Sequence, residues 1–403
     1  MQINSPNPFW NHIFQEQTGR MIDPDPVRNR LQSLLPYARI AGFNDDECLW
    51  IRETVQRYCG NETILTVLEI MYQALFRTHK TEAAQDPEIQ DITGDDKAFN
   101  LIVLLSYAPE LENDYKQNNW SNEMFRQALR DFKIWSDHCV ENFGKPGLSY
   151  QGGYGWIHAQ MLCQILRFGR LQCNIRAHFF QENIVFRHKN SRKVQVIMNG
   201  RMDFNPDGLF RVADDPLAFS SAPAVRTENT ITGLPVSPDG IVSPEPVCLN
   251  LSEWEEVLSP GDPIINLHIP ADGPLLPELC ADSVRRMWDF FHQQTDFKVK
   301  AVCCESWLLD PQFPKILPPE SNMLKFQMAG YLMPEYGESD CFGRVFGLKS
   351  RTEGIQSVPW NTSMRKAFGK FSTEGGHFRN GRIVLLPEDF PWGSNPYRKV
   401  LEN

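Results

Sequence analysis

Through the first third of the chain, apolar residues recur three and four positions apart, the period of a helix with one buried face. Asn44-Asp45-Asp46-Glu47 reads as a capping box ahead of Cys48, Ile51, Val55 and Tyr58, and Gly60 ends that helix. Asp25-Pro26 marks an earlier start, a carboxylate that can cap followed by proline at the first helical position. Asn61 caps another helix with Ile64, Leu68, Met71 and Leu75 on one face. A third strong case begins at Ser121 and turns Phe125, Leu129, Phe132, Trp135, Cys139 and Phe143 inward, until Gly144-Lys145-Pro146-Gly147 stops it. Such stripes must be buried against one another, which predicts a helical first domain. Residues 144–155 then hold five glycines and one proline. We place the boundary there, with a helical domain over 1–148 and a second domain over 149–403.

Beyond the boundary the period shortens. A helix is predicted over 154–167, ending at Gly169. Leu171, Cys173, Ile175, Ala177 and Phe179 then alternate with Gln172, Asn174, Arg176 and His178, the pattern of one half-buried strand. Residues 184–186 and 194–198 read as further strands, and short connections suggest an antiparallel meander. Residues 214–248 are rich in proline, serine and threonine and show no period, so a long excursion is expected. Order returns with a strand over 264–269 and a helix over 277–291 whose Cys280, Val284, Met287 and Phe291 face inward. A strand over 299–304, a short helix over 321–330, a strand over 341–348, a helix over 362–371 and a last strand over 382–386 follow. The fold class is α+β: a helical N-terminal domain, then a mixed, mostly antiparallel sheet flanked by helices.

Composition narrows the function. The 403 residues suffice for two full cores, and 41% hydrophobic with 22% charged residues is ordinary for a globular protein. The net charge of −10 and the lack of a long basic run argue against nucleic acid as a partner. The opening MQINSPNPFWNHIF lacks the basic start and apolar core of a leader. No run approaches the roughly 20 apolar residues that span a bilayer, so no membrane partner is expected. None of the ten cysteines forms a CxxC pair, which fits free thiols in a reducing cytoplasm and no metal site. There is no Walker loop, HExxH or GxSxG motif.

The segment Leu267-His268-Ile269-Pro270-Ala271-Asp272-Gly273 resembles the end of the fourth strand and the glycine loop of GNAT acyltransferases. Asn322 followed by Gly330-Tyr331 resembles that family's later signature, where a helix runs into the sixth strand. The segments GDPIINLHIP, ESWLLDP and PESN are similar to a bacterial GNAT-like N-acyltransferase family that joins a helical N-terminal domain to a GNAT-like C-terminal domain. On this view the resemblance covers nearly the whole chain. It implies an acyltransferase that takes acyl-CoA as co-substrate in a gap between two splayed strands. Ile269, Ala271, Gly273, Leu275 and Asn322 would then contact the CoA. The loop departs from the family pattern, since Pro274 and Pro277 lack N–H donors and Asp272 would repel a pyrophosphate. The spacing from Asn322 to Gly330 is about one helical turn short, and Phe326 stands near the place of the family's general-acid tyrosine.

The residues themselves offer candidates, each with a plainer role. His268, an imidazole beside the loop, can take a proton from an amine attacking a thioester, or can simply be hydrogen-bonded in a sheet. Glu305 can act as base and Ser306 can protonate the leaving thiolate, or Ser306 can cap the next turn. Trp307 can wall an acyl pocket or fill core. Arg176 and His178 can meet a substrate carboxylate or face water. Cys303 or Cys304 with His268 would make a cysteine hydrolase if a thiolate were exposed in an electropositive setting. The reading these favour is acyl transfer from acyl-CoA to a small-molecule amine acceptor. A non-catalytic binding or structural protein on a degenerate GNAT frame is the alternative.

Overall fold

The computed structural model describes residues 5–17, 22–78, 85–213 and 215–398. Asp214, where the predicted excursion opens, and both chain ends lie outside these. The chain divides into two compact units. One holds the chain up to Arg167 together with Pro270–Asp272, and the other holds Phe168–Ile269 and the chain from Gly273 onward.

The first unit is helical. The capping box at Asn44 is complete: Glu47 N–H donates to Asn44 Oδ1 at 2.9 Å, and Asn44 N–H donates to Glu47 Oε2 at 2.8 Å. It starts the helix Asp45–Cys59, which buries Cys48, Ile51, Val55 and Tyr58. Glu62–Phe76 and Asp96–Leu105 are apolar on most faces and form the centre of this unit. Asn122–Phe143 buries Phe125, Leu129, Phe132 and Cys139, and Gly144 ends it with φ 73°. The early helix is Pro24–Gln32, capped by Asp23. The helix predicted over 154–167 is shorter, Tyr154–Met161. Cys163 turns left-handed at φ 55°, and Ile165–Phe168 continues as a strand. A mostly apolar stretch fits either state, and length did not separate them.

The second unit is built on a sheet whose neighbours run Leu171–Asn174, Pro263–His268, Ala301–Ser306, Arg379–Leu385, Tyr331–Glu338. Pro263–His268 and Ala301–Ser306 are parallel, joined by the crossover helix Pro277–Gln294. The other pairs of this sheet are antiparallel. A second, antiparallel sheet orders Pro235–Val236, Val194–Met198, Asn183–His188 and Trp254–Leu258. One apolar layer joins the two sheets, with Ile264, Ala301, Cys303, Tyr331, Met333 and Val384 from the first and Val185, Val196, Met198 and Leu258 from the second.

Three further expectations change here. The single strand over 171–179 bends at Ile175 and Arg176, leaving Leu171–Asn174 and the short Ala177–His178. The excursion after Asp214 carries the short strands Val225–Arg226, Thr230–Gly233 and Val247–Asn250, which pair with one another. The strand predicted over 341–348 is a helix, Cys341–Phe346. Cys341, Val345 and Phe346 are buried on one helical face, and Arg344 Nε donates to Asp340 Oδ2 one turn back at 2.9 Å. Among the described residues no helix is long and apolar enough to cross a membrane.

Candidate active site

The parallel strands are paired through Leu267 and Cys304. Beyond that point each turns to its outer neighbour. His268 pairs with Gln172, Glu305 with Arg382, and Ser306 with Gly381. His268, the last residue of one strand, and Glu305, the last but one of the other, therefore lie where the two strands have stopped pairing with each other. Gly381 is needed for this arrangement, because a Cβ there would lie 2.1 Å from the carbonyl oxygen of Leu309.

Side chains alternate along a strand, so the face of each residue follows from its neighbours. Ile264, Ala301, Cys303, Val384, Tyr331 and Met333 all face the second sheet. Continuing the alternation puts His268, Glu305, Arg382 and Glu335 on that same face. Each strand thus changes from apolar to ionisable toward one end, and the four polar residues converge there. Asn266, on this face too, has a buried Oδ1 without a hydrogen-bond partner in the structure.

Arg382 organises the cluster. Its Nε donates to Glu305 Oε2 at 2.7 Å and one terminal nitrogen donates to Glu182 Oε2 at 2.8 Å. The other terminal nitrogen lies 3.8 Å from Glu335 Oε1. The guanidinium also lies 4.2 Å from the centre of the Phe180 ring. Burial raises the Glu335 carboxyl to about 8, helped by its hydrogen bond to Glu305 and by that neighbour's charge, against the pull of Arg382. Sequence reasoning missed Glu182, Glu335 and Arg382. Their signal was a charged residue where an apolar alternation should have continued, at Glu335 after Tyr331 and Met333 and at Arg382 before Val384.

The His268 ring is half-buried, and its Nε2 lies 2.5 Å from Asn174 Oδ1. An amide oxygen only accepts, so this contact puts the proton on Nε2. Burial lowers the imidazole to about 4, opposed by the charge of Glu305. The ring is therefore neutral at pH 7 and a weak base.

The loop after the strand is held by an arginine within each unit. In the first unit, Arg167 and Asp131 are both buried and pair at 3.0 Å, and Arg167 also holds Asp272 Oδ2 at 2.5 Å. Asp131 accepts from Trp156 Nε1 at 3.1 Å and Gln160 Nε2 at 3.0 Å. Asp272 is thus a paired anchor, where the sequence suggested a free repelling charge. In the second unit, Arg170 donates to the carbonyl oxygens of Gly273 at 2.7 Å and Pro274 at 2.9 Å. In a trans peptide the N–H points opposite to the C=O. Leu275 N–H is therefore aimed away from Arg170, while the Gly273–Pro274 peptide carries no N–H. Ile269 is half-buried, Ala271 and Gly273 are exposed, and the Leu275 side chain is buried.

The remaining candidates are dispersed. Ser306 lies on the opposite face from Glu305, and its Oγ accepts from Leu308 N at 3.1 Å, so it caps the following turn. Trp307 sits edge-on to Phe313 and Phe368 in an aromatic cluster. Asn322 opens the helix Asn322–Met328, where Ser321 is the cap. His178 pairs with Pro263, at the other end of the strand from His268, and both His178 and Arg176 are exposed. Cys303 and Cys304 have 0% exposure and burial raises both thiols, which removes the conditions for a nucleophile. Among the described residues no group of three His, Cys, Asp or Glu could hold a metal ion.

Residues 165–385 match the GNAT-like C-terminal domain, and residues 29–163 match the N-acyltransferase N-terminal domain. The chain belongs to the GNAT-like N-acyltransferase family defined by that pair of domains. Two solved structures share its fold. An acyltransferase mutant in complex with octanoyl-CoA is 16% identical, with a TM-score of 0.57 over 91% of this chain and 100% of its own. An acyltransferase in complex with decanoyl-CoA and teicoplanin is 15% identical, with a TM-score of 0.53 over 90% of this chain and 100% of its own. No curated protein gives a significant match to the chain.

Proposed function

We propose that this protein transfers an acyl group from acyl-CoA to a small-molecule amine acceptor, by direct attack within a ternary complex and with no covalent enzyme intermediate. The observation that carries this reading is the parting of the parallel strands after Leu267 and Cys304, with His268 and Glu305 the first residues past it. Structures of the same fold hold acyl-CoA, and one also holds teicoplanin, which supports a small-molecule acceptor.

Backbone N–H groups near His268 and Ile269 would hold the thioester oxygen, and such a preorganised donor is typically worth about 3 kcal/mol. Glu305 would take the amine proton and return it to the thiolate. His268 would orient the acceptor or assist, because a neutral ring of lowered basicity is the poorer base. Ser306 is left a minor part by its capping bond. The CoA would lie against Ile269, Ala271, Gly273, Leu275 and Asn322. Ten unbridged cysteines support a reducing cytoplasm as the compartment.

The test is direct. Saturating acyl-CoA at a hundredfold excess over its Kd should stabilise the protein by about 2.7 kcal/mol, read as a rise in Tm. Mass spectrometry of reactions with a panel of amines should then show acylated product. A second reading, a non-catalytic binding protein on the same frame, is favoured by the Gly273–Pro274 peptide, which has no N–H to offer a phosphate. It would be adopted if neither CoA nor any acyl-CoA moved Tm. Full turnover in both His268→Ala and Glu305→Gln would refute the mechanism.

A further inference from the structure

Three carboxyl groups, Glu182, Glu305 and Glu335, share the single guanidinium of Arg382 in a mostly buried site. Fully ionised, the group would carry two uncompensated negative charges. Retaining one proton removes one of them, and geometry selects which carboxyl keeps it. Glu305 and Glu182 receive direct bonds at 2.7 and 2.8 Å, while Glu335 has the longest contact at 3.8 Å. Its side chain is also the least exposed of the three, at 18% against 20% and 30%. Glu335 and Glu305 crowd the same guanidinium, and carboxyl groups gathered so closely in a mostly buried site favour retaining a proton between them.

We propose that Glu305 and Glu335 hold one proton between them and act as a pair, in which Glu305 takes the proton of the acceptor amine and Glu335 is the positioning residue that keeps Glu305 oriented and unprotonated. This rests on the acyl-transfer reading and extends it. The amine lone pair forms the C–N bond at the thioester carbonyl, and the C–S bond breaks with its electron pair left on sulfur. The amine proton passes to Glu305 and from there to sulfur, giving the free thiol. The pair ends with one proton, as it began. The groups facing Glu335 are Arg382 from the adjacent strand, Glu305 from the strand beyond it and Glu182 from the turn that leads into Asn183–His188. His268 acts on the pair through Glu305, and the thiols of Cys303 and Cys304 lie among the same charges.

Two measurements test it. Carboxyl 13C shifts of the native protein, followed with pH, should show Glu305 and Glu335 titrating as a coupled pair in two steps. In Glu305→Gln, Glu335 should titrate in a single step, still raised by burial but less so than in the wild-type protein. Independent one-step titrations in the wild-type protein would overturn the inference whether or not the enzyme turns over. Coupled titration without any acyl-transfer product would instead overturn the acyl-transfer reading and leave no catalytic role for the pair. In kcat/KM profiles, Glu335→Gln keeps a hydrogen-bond donor and should stay within about threefold of wild type at neutral pH. Glu335→Leu removes the donor and should move the acid limb upward by about one unit, roughly a tenfold loss on that limb. Equal loss at all pH values in both variants would mark Glu335 as merely structural and overturn the proposal.

Discussion

Arg382 and Glu305 face each other across adjacent antiparallel strands, and Arg382 Nε donates to Glu305 Oε2 at 2.7 Å. Removing the guanidinium would strand two partly buried carboxylates. Arg382→Met is therefore expected to destabilise the protein by about 3–5 kcal/mol in urea unfolding, and Arg382→Lys by less. A loss below about 1 kcal/mol in the Met variant would show that water replaces the guanidinium without cost.

His268 should make stability depend on pH. Its folded pKa, about 4, lies below the ordinary 6.5, so the folded state disfavours the imidazolium. The contribution is complete above about 6.5 and is lost as pH falls through 4. For a half-buried ring we expect about 2 kcal/mol across that window. His268→Gln keeps a polar partner for Asn174 and should flatten this part of the stability curve. An unchanged slope in that variant would contradict the assignment.

Asp131 accepts from Arg167, Trp156 and Gln160 while itself fully enclosed. Asp131→Leu leaves three donors without their acceptor, and a loss of about 3 kcal/mol is expected. Asp131→Asn should recover part of it. Equal Tm for wild type and Asp131→Leu would refute the role of this network.

Gly381→Ala would push a methyl group against the Leu309 carbonyl, 2.1 Å away. Overpacking of this kind costs about 1–3 kcal/mol. The strain also falls where Ser306 pairs, so acyl transfer should drop more than stability alone explains. An alanine variant with native Tm and turnover would contradict the close approach.

Iodoacetamide should label the folded protein at exposed Cys248 and leave Cys303, Cys304 and Cys173 untouched until denaturant is added. Rapid native alkylation of Cys303 or Cys304, with loss of activity, would revive a thiol mechanism.

Much of the fold was legible because local chemistry and burial agreed. Asn44, Asn61 and Ser121 announced helices that the structure starts at those caps. The Pro277 helix and the flanking strands were readable from period and turn residues. Cys341–Phe346 was not, because a short apolar run fits a strand or a buried helix equally. The candidate site was half legible. His268 and Glu305 could be singled out because they end strands beside a loop. Arg382 and Glu335 lie 77 and 30 positions from Glu305, and no local pattern links them; the antiparallel register does. Ser306 and Trp307 were adjacent in sequence to Glu305, but alternation sent Ser306 to the other face.

The two-residue alternation of Arg379–Leu385 has a consequence for how this chain can change length. Deleting one residue just before Arg382 would swing the guanidinium to the opposite face and present Ile383 to the three carboxyl groups, and inserting one would swing it likewise and present the new residue. Changes in steps of two would preserve the facing. Natural length variation in the turn that leads into this strand should therefore be absorbed before Arg379 or come in even steps.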